Sequence, residues 1–168
     1  MYSQAAHRPA VRAEAARRGL VVEQYAGGYA GRAAEIDGGA ARPAPELRRD
    51  VRATARALAE EWGTVPDAAW DALTRDVAGR QRPLRLLPAR RWQELEIHLV
   101  DLGVGPTHRQ WPDAFVRDRL PALRATVAGR LPEGVSAPRL GVPDDRDELA
   151  WLYGRLSRPD LPVLSPWD

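Results

Sequence analysis

The chain has 168 residues, enough for one domain with a sizeable core; its 44% hydrophobic and 29% charged residues, and the lack of any long apolar run, argue against a disordered chain and a membrane protein. It has no cysteine, and all 25 basic residues are arginine, which excludes disulfides, thiolate metal ligands, a cysteine nucleophile and a lysine Schiff base. The formal net charge is only +2 with the two signs interspersed, so no nucleic-acid partner is expected.

The first half of the chain is predicted to hold two long helices. The Ala- and Arg-rich stretch Val11–Gln24 predicts the first, which the Gly27–Gly28 pair should end. Proline is tolerated in the first turn of a helix, and after Pro45 apolar residues recur at helical spacing as far as Trp62, which predicts the second. A single helical turn is expected over Pro66–Leu73, inserting a tryptophan into the core.

The second half is predicted to contain three more helices. The polar segment Gly79–Leu87 should be a connector, which could be extended, and a proline-led helix Pro88–Leu102 follows it. A helix over Pro112–Leu131 should be kinked by Pro121, and a last one is predicted at Asp145–Leu156. Long helices joined by short connectors predict a mainly all-α protein, an antiparallel four-helix bundle with a short C-terminal extension.

The predicted helix Pro88–Leu102 contains side chains that could bind a metal ion. At 100° per residue Glu94, His98 and Asp101 lie within a narrow arc, with Arg91 beside them. A Glu and a His one turn apart can bind one divalent ion, although such a pair also occurs as a surface hydrogen bond. The apolar residues of the helix are expected to pack in the core against the second helix; they are Leu95, Leu99 and Leu102.

The segment from Arg91 to Leu102 resembles the signature helix of the mycothiol-dependent maleylpyruvate isomerase family, which belongs to the wider DinB-like metal-binding bundles. That helix has the form R-x-x-E-x-x-x-H-x-x-D-L. The resemblance extends over roughly residues 12 to 168, through Gln24–Gly28, the helix after Pro45 and the ending Trp151-Leu152-Tyr153-Gly154-Arg155.

The resemblance implies a fold, a cofactor and a reaction. A DinB-like bundle is expected over residues 1–106, with a helical C-terminal portion 107–168 packing on it. Glu94 and His98 are the implied ligands of a divalent metal, expected to be zinc, which lowers the pKa of mycothiol, the co-substrate thiol. The implied activity is that of an isomerase or S-transferase acting on a small electrophilic or dicarboxylic substrate. Arg155 is the implied catalytic residue, holding a substrate carboxylate, unless it only caps the last helix.

The family pattern also has a third ligand, a histidine on the first long helix. Counting back from Tyr25 places that position at or before Met1, so the chain is expected to be N-terminally truncated, with His7 a weak substitute. His108 is expected to be a solvated loop residue. The alternative is a non-catalytic helical binding protein that has lost a complete metal site. We expect a cytoplasmic monomer or homodimer.

Overall fold

The computed structural model describes residues 11–138 and 144–166, and the chain divides into two compact units, Met1–Arg91 and Trp92–Asp168. His7 lies outside the described residues. The first unit contains helical residues 11–17 (α1), α2 (Gly28–Ala40), α3 (Ala44–Gly63), a 3-10 turn (Asp67–Asp71), the strands β1 (Leu73–Arg75) and β2 (Gln81–Pro83), and the start of α4 (Leu86–Asp101). The second contains the rest of α4, 3-10 turns at His108–Gln110 and Val127–Arg130, α5 (Asp113–Thr126) and α6 (Asp145–Leu152).

Helix α1 ends at residue 17, earlier than the predicted end at Gln24. Gly19 has a φ of +68°, a left-handed conformation that suits glycine and cannot continue a helix. The amide of Gly19 donates to the carbonyl of Ala16 and that of Leu20 to the carbonyl of Ala15, which is the hydrogen-bond pattern of a Schellman stop. By contrast α3 follows its predicted bounds, because the proline at its start and Gly63 at its end are local signals.

The core of the first unit consists of Ala13, Ala16, Val65, Leu84 and Leu87. Trp62 and Trp70 pack against it, so the short turn does place a tryptophan at the core as expected. Leu58 is the only buried residue of α3, and Leu47, Val51 and Trp62 on its apolar stripe are half-buried.

The predicted connector Gly79–Leu87 contains the extended strand β2, and residues 73–83 form an antiparallel hairpin with Thr74 opposite Arg82. The buried Asp76 carboxylate organises the turn by accepting hydrogen bonds from the amides of Ala78, at 3.0 Å, and Arg80, at 2.9 Å. Burial alone would raise the pKa of Asp76, but these bonds and the Arg80 side chain hold it below its usual value. Three-residue strands are too short for periodicity to predict.

The second unit is built around α5 and α6. Its core contains the fully buried Phe115, Leu149 and Leu152, together with Trp111 and Tyr153. The rings form an aromatic group in which Trp111 meets Phe115 edge to face, with ring centroids 5.5 Å apart. In the part of the chain that the structure describes, no helix is long and apolar enough to cross a membrane.

The expected core face of α4 is wrong. Leu95, Leu99 and Leu102 are between 41% and 55% exposed, whereas Ile97 is buried in the core of the second unit and Val100 packs against it. Helix α4 carries apolar residues on more than one side, so its own periodicity could not identify the side that the rest of the unit covers.

Candidate functional site

Glu94 and His98 lie one turn apart on α4, as the sequence predicts. Glu94 Oε2 and His98 Nε2 are 3.2 Å apart, so the two side chains converge on one point beside the helix. The pair is accessible, with 32% of the His98 side chain exposed. Helical spacing alone is enough to produce this arrangement, because residues four apart are neighbours on a helix surface.

The second nitrogen of the His98 ring is held by the next turn. His98 Nδ1 lies 2.8 Å from Asp101 Oδ2, at i+3 on the same helix. A carboxylate that accepts the Nδ1 proton fixes the ring orientation and puts the lone pair on Nε2, the nitrogen that faces Glu94. With this tautomer, Nε2 and Glu94 Oε2 are both acceptors, so their close approach favours a shared cation.

Asp101 is in turn held by Arg155 through a two-point contact. Arg155 Nε is 2.9 Å from Asp101 Oδ1, and Arg155 Nη2 is 2.7 Å from Oδ2. The hydrogen bonds from Arg155, ahead of those from His98, lower the pKa of Asp101 and keep it ionised. The same contact raises the pKa of Arg155. Arg155 also donates from Nη1 to the carbonyl of Tyr153, at 2.7 Å.

The end of α6 explains how Arg155 reaches this position. Gly154 has a φ of +68°, and its amide donates to the carbonyl of Trp151, at 2.8 Å. The amide of Arg155 donates to the carbonyl of Ala150, at 2.7 Å, which completes a Schellman stop. The segment Tyr153-Gly154-Arg155 is therefore a helix end that turns the chain sharply. The predicted helix Asp145–Leu156 ends early for this reason.

These residues border a cleft of about 240 Å³. Its walls combine polar and apolar side chains: Gln93, Glu94, Ile97, His98, Leu123, Tyr153 and Arg155. The Tyr153 ring is buried and stacks on Phe115, with centroids 6.4 Å apart. Burial raises the pKa of Tyr153 to about 12, so its hydroxyl keeps its proton at neutral pH.

The structure thus brings Glu94, His98 and Arg155 together on one cleft, with Asp101 joining His98 to Arg155. The expectation for His108 is wrong, because this histidine is largely buried and contacts Asp147, with His108 Nε2 2.8 Å from Asp147 Oδ1. Sequence reasoning missed Gln93 and Tyr153 as cleft residues. Their positions in the sequence could have indicated them, because Gln93 is adjacent to Glu94 and Tyr153 is two residues before Arg155.

Two donors alone do not make a complete metal site. Within residues 11–138 and 144–166 there is no group of three or more His, Cys, Asp or Glu side chains arranged to hold an ion. Glu94 and His98 nevertheless have the right chemistry for zinc, since a carboxylate oxygen and a neutral imidazole nitrogen are among its usual protein ligands.

Comparison with known proteins places this site in a family. The structure resembles a crystal structure of the mycothiol-dependent maleylpyruvate isomerase, with a TM-score of 0.83 and 20% identity over 99% of this chain and 78% of the other. A variant of the mycothiol-dependent maleylpyruvate isomerase with one histidine replaced by alanine gives a TM-score of 0.82 at the same identity and coverage. No curated protein sequence matches the chain. The predicted mainly helical, DinB-like fold is thus confirmed. Residues 2–103 match the model of the mycothiol maleylpyruvate isomerase N-terminal domain, and the chain therefore belongs to that family.

Proposed function

We propose that this protein is a metal- and thiol-dependent enzyme that uses mycothiol to isomerise a small electrophilic acid or to transfer the thiol to it. The observation that carries the proposal is the convergence of Glu94 Oε2 and His98 Nε2 at 3.2 Å at the edge of a cleft. Membership of the family supports the choice of thiol.

Glu94 and His98 would hold the metal, and the chain's other residues would keep them in place. A bound zinc ion would supply positive charge that lowers the pKa of a thiol at an open position. Asp101 keeps the Nε2 lone pair of His98 directed outward, and Arg155 keeps Asp101 ionised and fixed. Arg155 also lines the cleft, so it remains the proposed contact for a substrate carboxylate.

The reaction needs no nucleophile from the chain, which has no cysteine. Addition of the thiolate to an activated C=C bond forms a C–S bond and moves the electron pair onto the conjugated carbonyl group. The former double bond can then rotate, and elimination breaks the C–S bond and restores the alkene. In a transfer reaction the C–S bond persists and the leaving group departs with the electron pair. The protein's role is to position both partners and to exclude competing water.

Zinc binding and turnover test the proposal together. Wild-type protein should bind zinc in a titration and isomerise maleylpyruvate only when mycothiol is present. Glu94→Ala and His98→Ala should each abolish both properties, because each removes one of only two ligands on this helix turn. Asp113→Ala is the matched control, since its carboxylate is exposed and lies outside the cleft. Zinc binding that survives in both ligand variants would refute the assignment.

Glu94 and His98 should also bind zinc more weakly in acid. Glu94 must be ionised and His98 neutral to coordinate, so zinc affinity should fall as the pH is lowered. His7 stays a weak candidate for the third ligand, and His7→Ala tests it by zinc titration. A cytoplasmic location also stays a prediction.

A non-catalytic helical binding protein is the second candidate. It is favoured by the finding that no three-donor metal group occurs among the described residues. Absence of both zinc binding and mycothiol-dependent turnover of small unsaturated acids would support it.

A further inference from the structure

Gln93 lies on the wall of the cleft beside Glu94, and a second side chain fixes its orientation. Arg119, on α5, donates from Nη1 to Gln93 Oε1 at 3.3 Å. A guanidinium group can only donate, so the oxygen of the Gln93 amide must face Arg119. Arg119 is itself restrained by Asp118, with Nε and Oδ2 2.8 Å apart. The amide nitrogen of Gln93, with its two hydrogens, is therefore the end that Arg119 does not hold.

The other polar groups on the wall are suited to different tasks. Glu94 is an acceptor, and His98 has one ring nitrogen occupied by Asp101. Three N–H groups of Arg155 are already donated, two to Asp101 and one to the carbonyl of Tyr153. Gln93 thus adds a neutral donor whose orientation is fixed before a ligand binds, and a fixed donor loses little entropy on binding.

The cleft has the size and polarity of a small acid. Its volume of about 240 Å³ corresponds to roughly eight water-sized groups at ~30 Å³ each. Ile97 and Leu123 supply an apolar wall, and Gln93 lies one helical turn before Ile97 on the same face of α4. A short carbon chain with an anionic oxygen at one end matches this combination.

We infer that the Gln93 side-chain amide, positioned by Arg119, binds a carboxylate oxygen of the substrate and selects for small carboxylic acids. The inference rests on the proposed function, because it takes the cleft as the substrate site. Gln93 is the contacting residue and Arg119 is a positioning residue. Hydrogen bonds to charged acceptors are stronger than those to neutral ones, so the contact favours an ionised acid over its amide.

Binding of maleate and of maleamide, its uncharged diamide, tests the inference without relying on turnover. Each is titrated calorimetrically into the full chain, with zinc and with a chelator. Gln93→Glu keeps the acceptor toward Arg119 but replaces the donor by a second oxygen, so it should weaken maleate at least tenfold and maleamide less than threefold. Gln93→Met keeps the length of the side chain without either polar end and should weaken maleate three- to tenfold. Gln81→Glu is the control of equal charge change, on the exposed strand β2 of the first unit, and should change nothing.

Arg119 is tested by rescue. Arg119→Leu releases the amide and should weaken maleate threefold or more, whereas Arg119→Lys keeps a donor and should stay within twofold of wild type. Equal losses for maleate and maleamide in Gln93→Glu, or no binding of maleate to the wild-type protein, would overturn the inference. Zinc titration of each variant separates the two proposals: if zinc binding is unchanged but maleate selectivity is absent, the metal site stands and the substrate contact does not.

Discussion

The second unit contains two groups made of the same residue types, a histidine, an aspartate and an arginine. In one, His98 contacts Asp101, which Arg155 holds at 2.7 Å. In the other, His108 contacts Asp147 Oδ1 at 2.8 Å, and Arg109 holds Asp147 Oδ2 at 2.9 Å.

The two groups have similar hydrogen-bond distances but differ in how exposed their histidines are. The His98 side chain is 32% exposed and has Glu94 beside its second nitrogen. The His108 side chain is 13% exposed, packs edge to face on Trp111, and directs its Nε2 to an aspartate that is only 6% exposed. The first group leaves a nitrogen and a carboxylate oxygen facing outward, whereas the second uses its contacts to join the turn at His108–Gln110 to α6. A His–Asp–Arg set therefore indicates a functional site only where it borders a cleft and where a second polar side chain, here Glu94, lies beside the histidine.

Among changes to these two groups, Asp147→Ala is expected to have the largest effect on stability. It leaves the buried His108 ring without its carboxylate, so the free energy of unfolding should fall by about 3 kcal/mol, at the low end for a broken buried pair because Arg109 is exposed. Chemical denaturation measures this loss. Zinc affinity should be unchanged, and a fall in zinc affinity with intact stability would reverse the roles given to the two groups.

Asp101→Asn should lower the zinc affinity and leave the stability almost unchanged, the opposite of Asp147→Ala. Loss of the carboxylate behind a metal-binding histidine typically weakens metal affinity 10–100-fold, so zinc titration should show a drop of about that size. The free energy of unfolding should change by less than ~1 kcal/mol, because both Asp101 and Arg155 are about one-third exposed. Asp113→Asn serves as the control. Unchanged zinc affinity would show that Asp101 does not orient His98.

The acid dependence of stability should distinguish the two groups further. Burial would raise the pKa of Asp147, but the hydrogen bond from His108 and the charge of Arg109 outweigh it and hold that pKa below its usual value. A lowered folded pKa stabilises the protein fully above the unfolded value, about 3.9, and the stabilisation is lost as the pH falls through the folded value. Denaturation between pH 5 and about 2 should therefore show a shallower loss of stability for Asp147→Asn than for wild type. Identical pH profiles would contradict the lowered pKa.

The smallest effect is expected at Leu99, the neighbour of His98 in sequence. This side chain is largely exposed, so Leu99→Ala should reduce the free energy of unfolding by less than ~1 kcal/mol. Leu149→Ala, in the fully buried core of the same unit, should cost about 2–5 kcal/mol. Similar losses at the two positions in denaturant melts would mean that the apolar side of α4 is covered in solution.

The sequence alone was sufficient wherever the signal is local. Helices α3 and α4 start and stop close to their predicted residues, and α5 starts close to its own, because prolines, glycines and apolar periodicity act within a few residues. Helix α5 ends at Thr126, and a 3-10 turn continues to Arg130. The convergence of Glu94, His98 and Asp101 follows from helical spacing alone, so the two proposed metal ligands could be named without a structure.

Only the tertiary structure decided the contacts between distant residues. Arg155 reaches Asp101 across 54 positions because Gly154 ends α6 in a left-handed turn, and His108 meets Asp147 across 39 positions. The hairpin at residues 73–83 depends on pairing and on Asp76, which short strands do not reveal. Which side of α4 is buried depends on the residues that pack against it. Because α4 is apolar on several sides, its sequence does not identify the buried side.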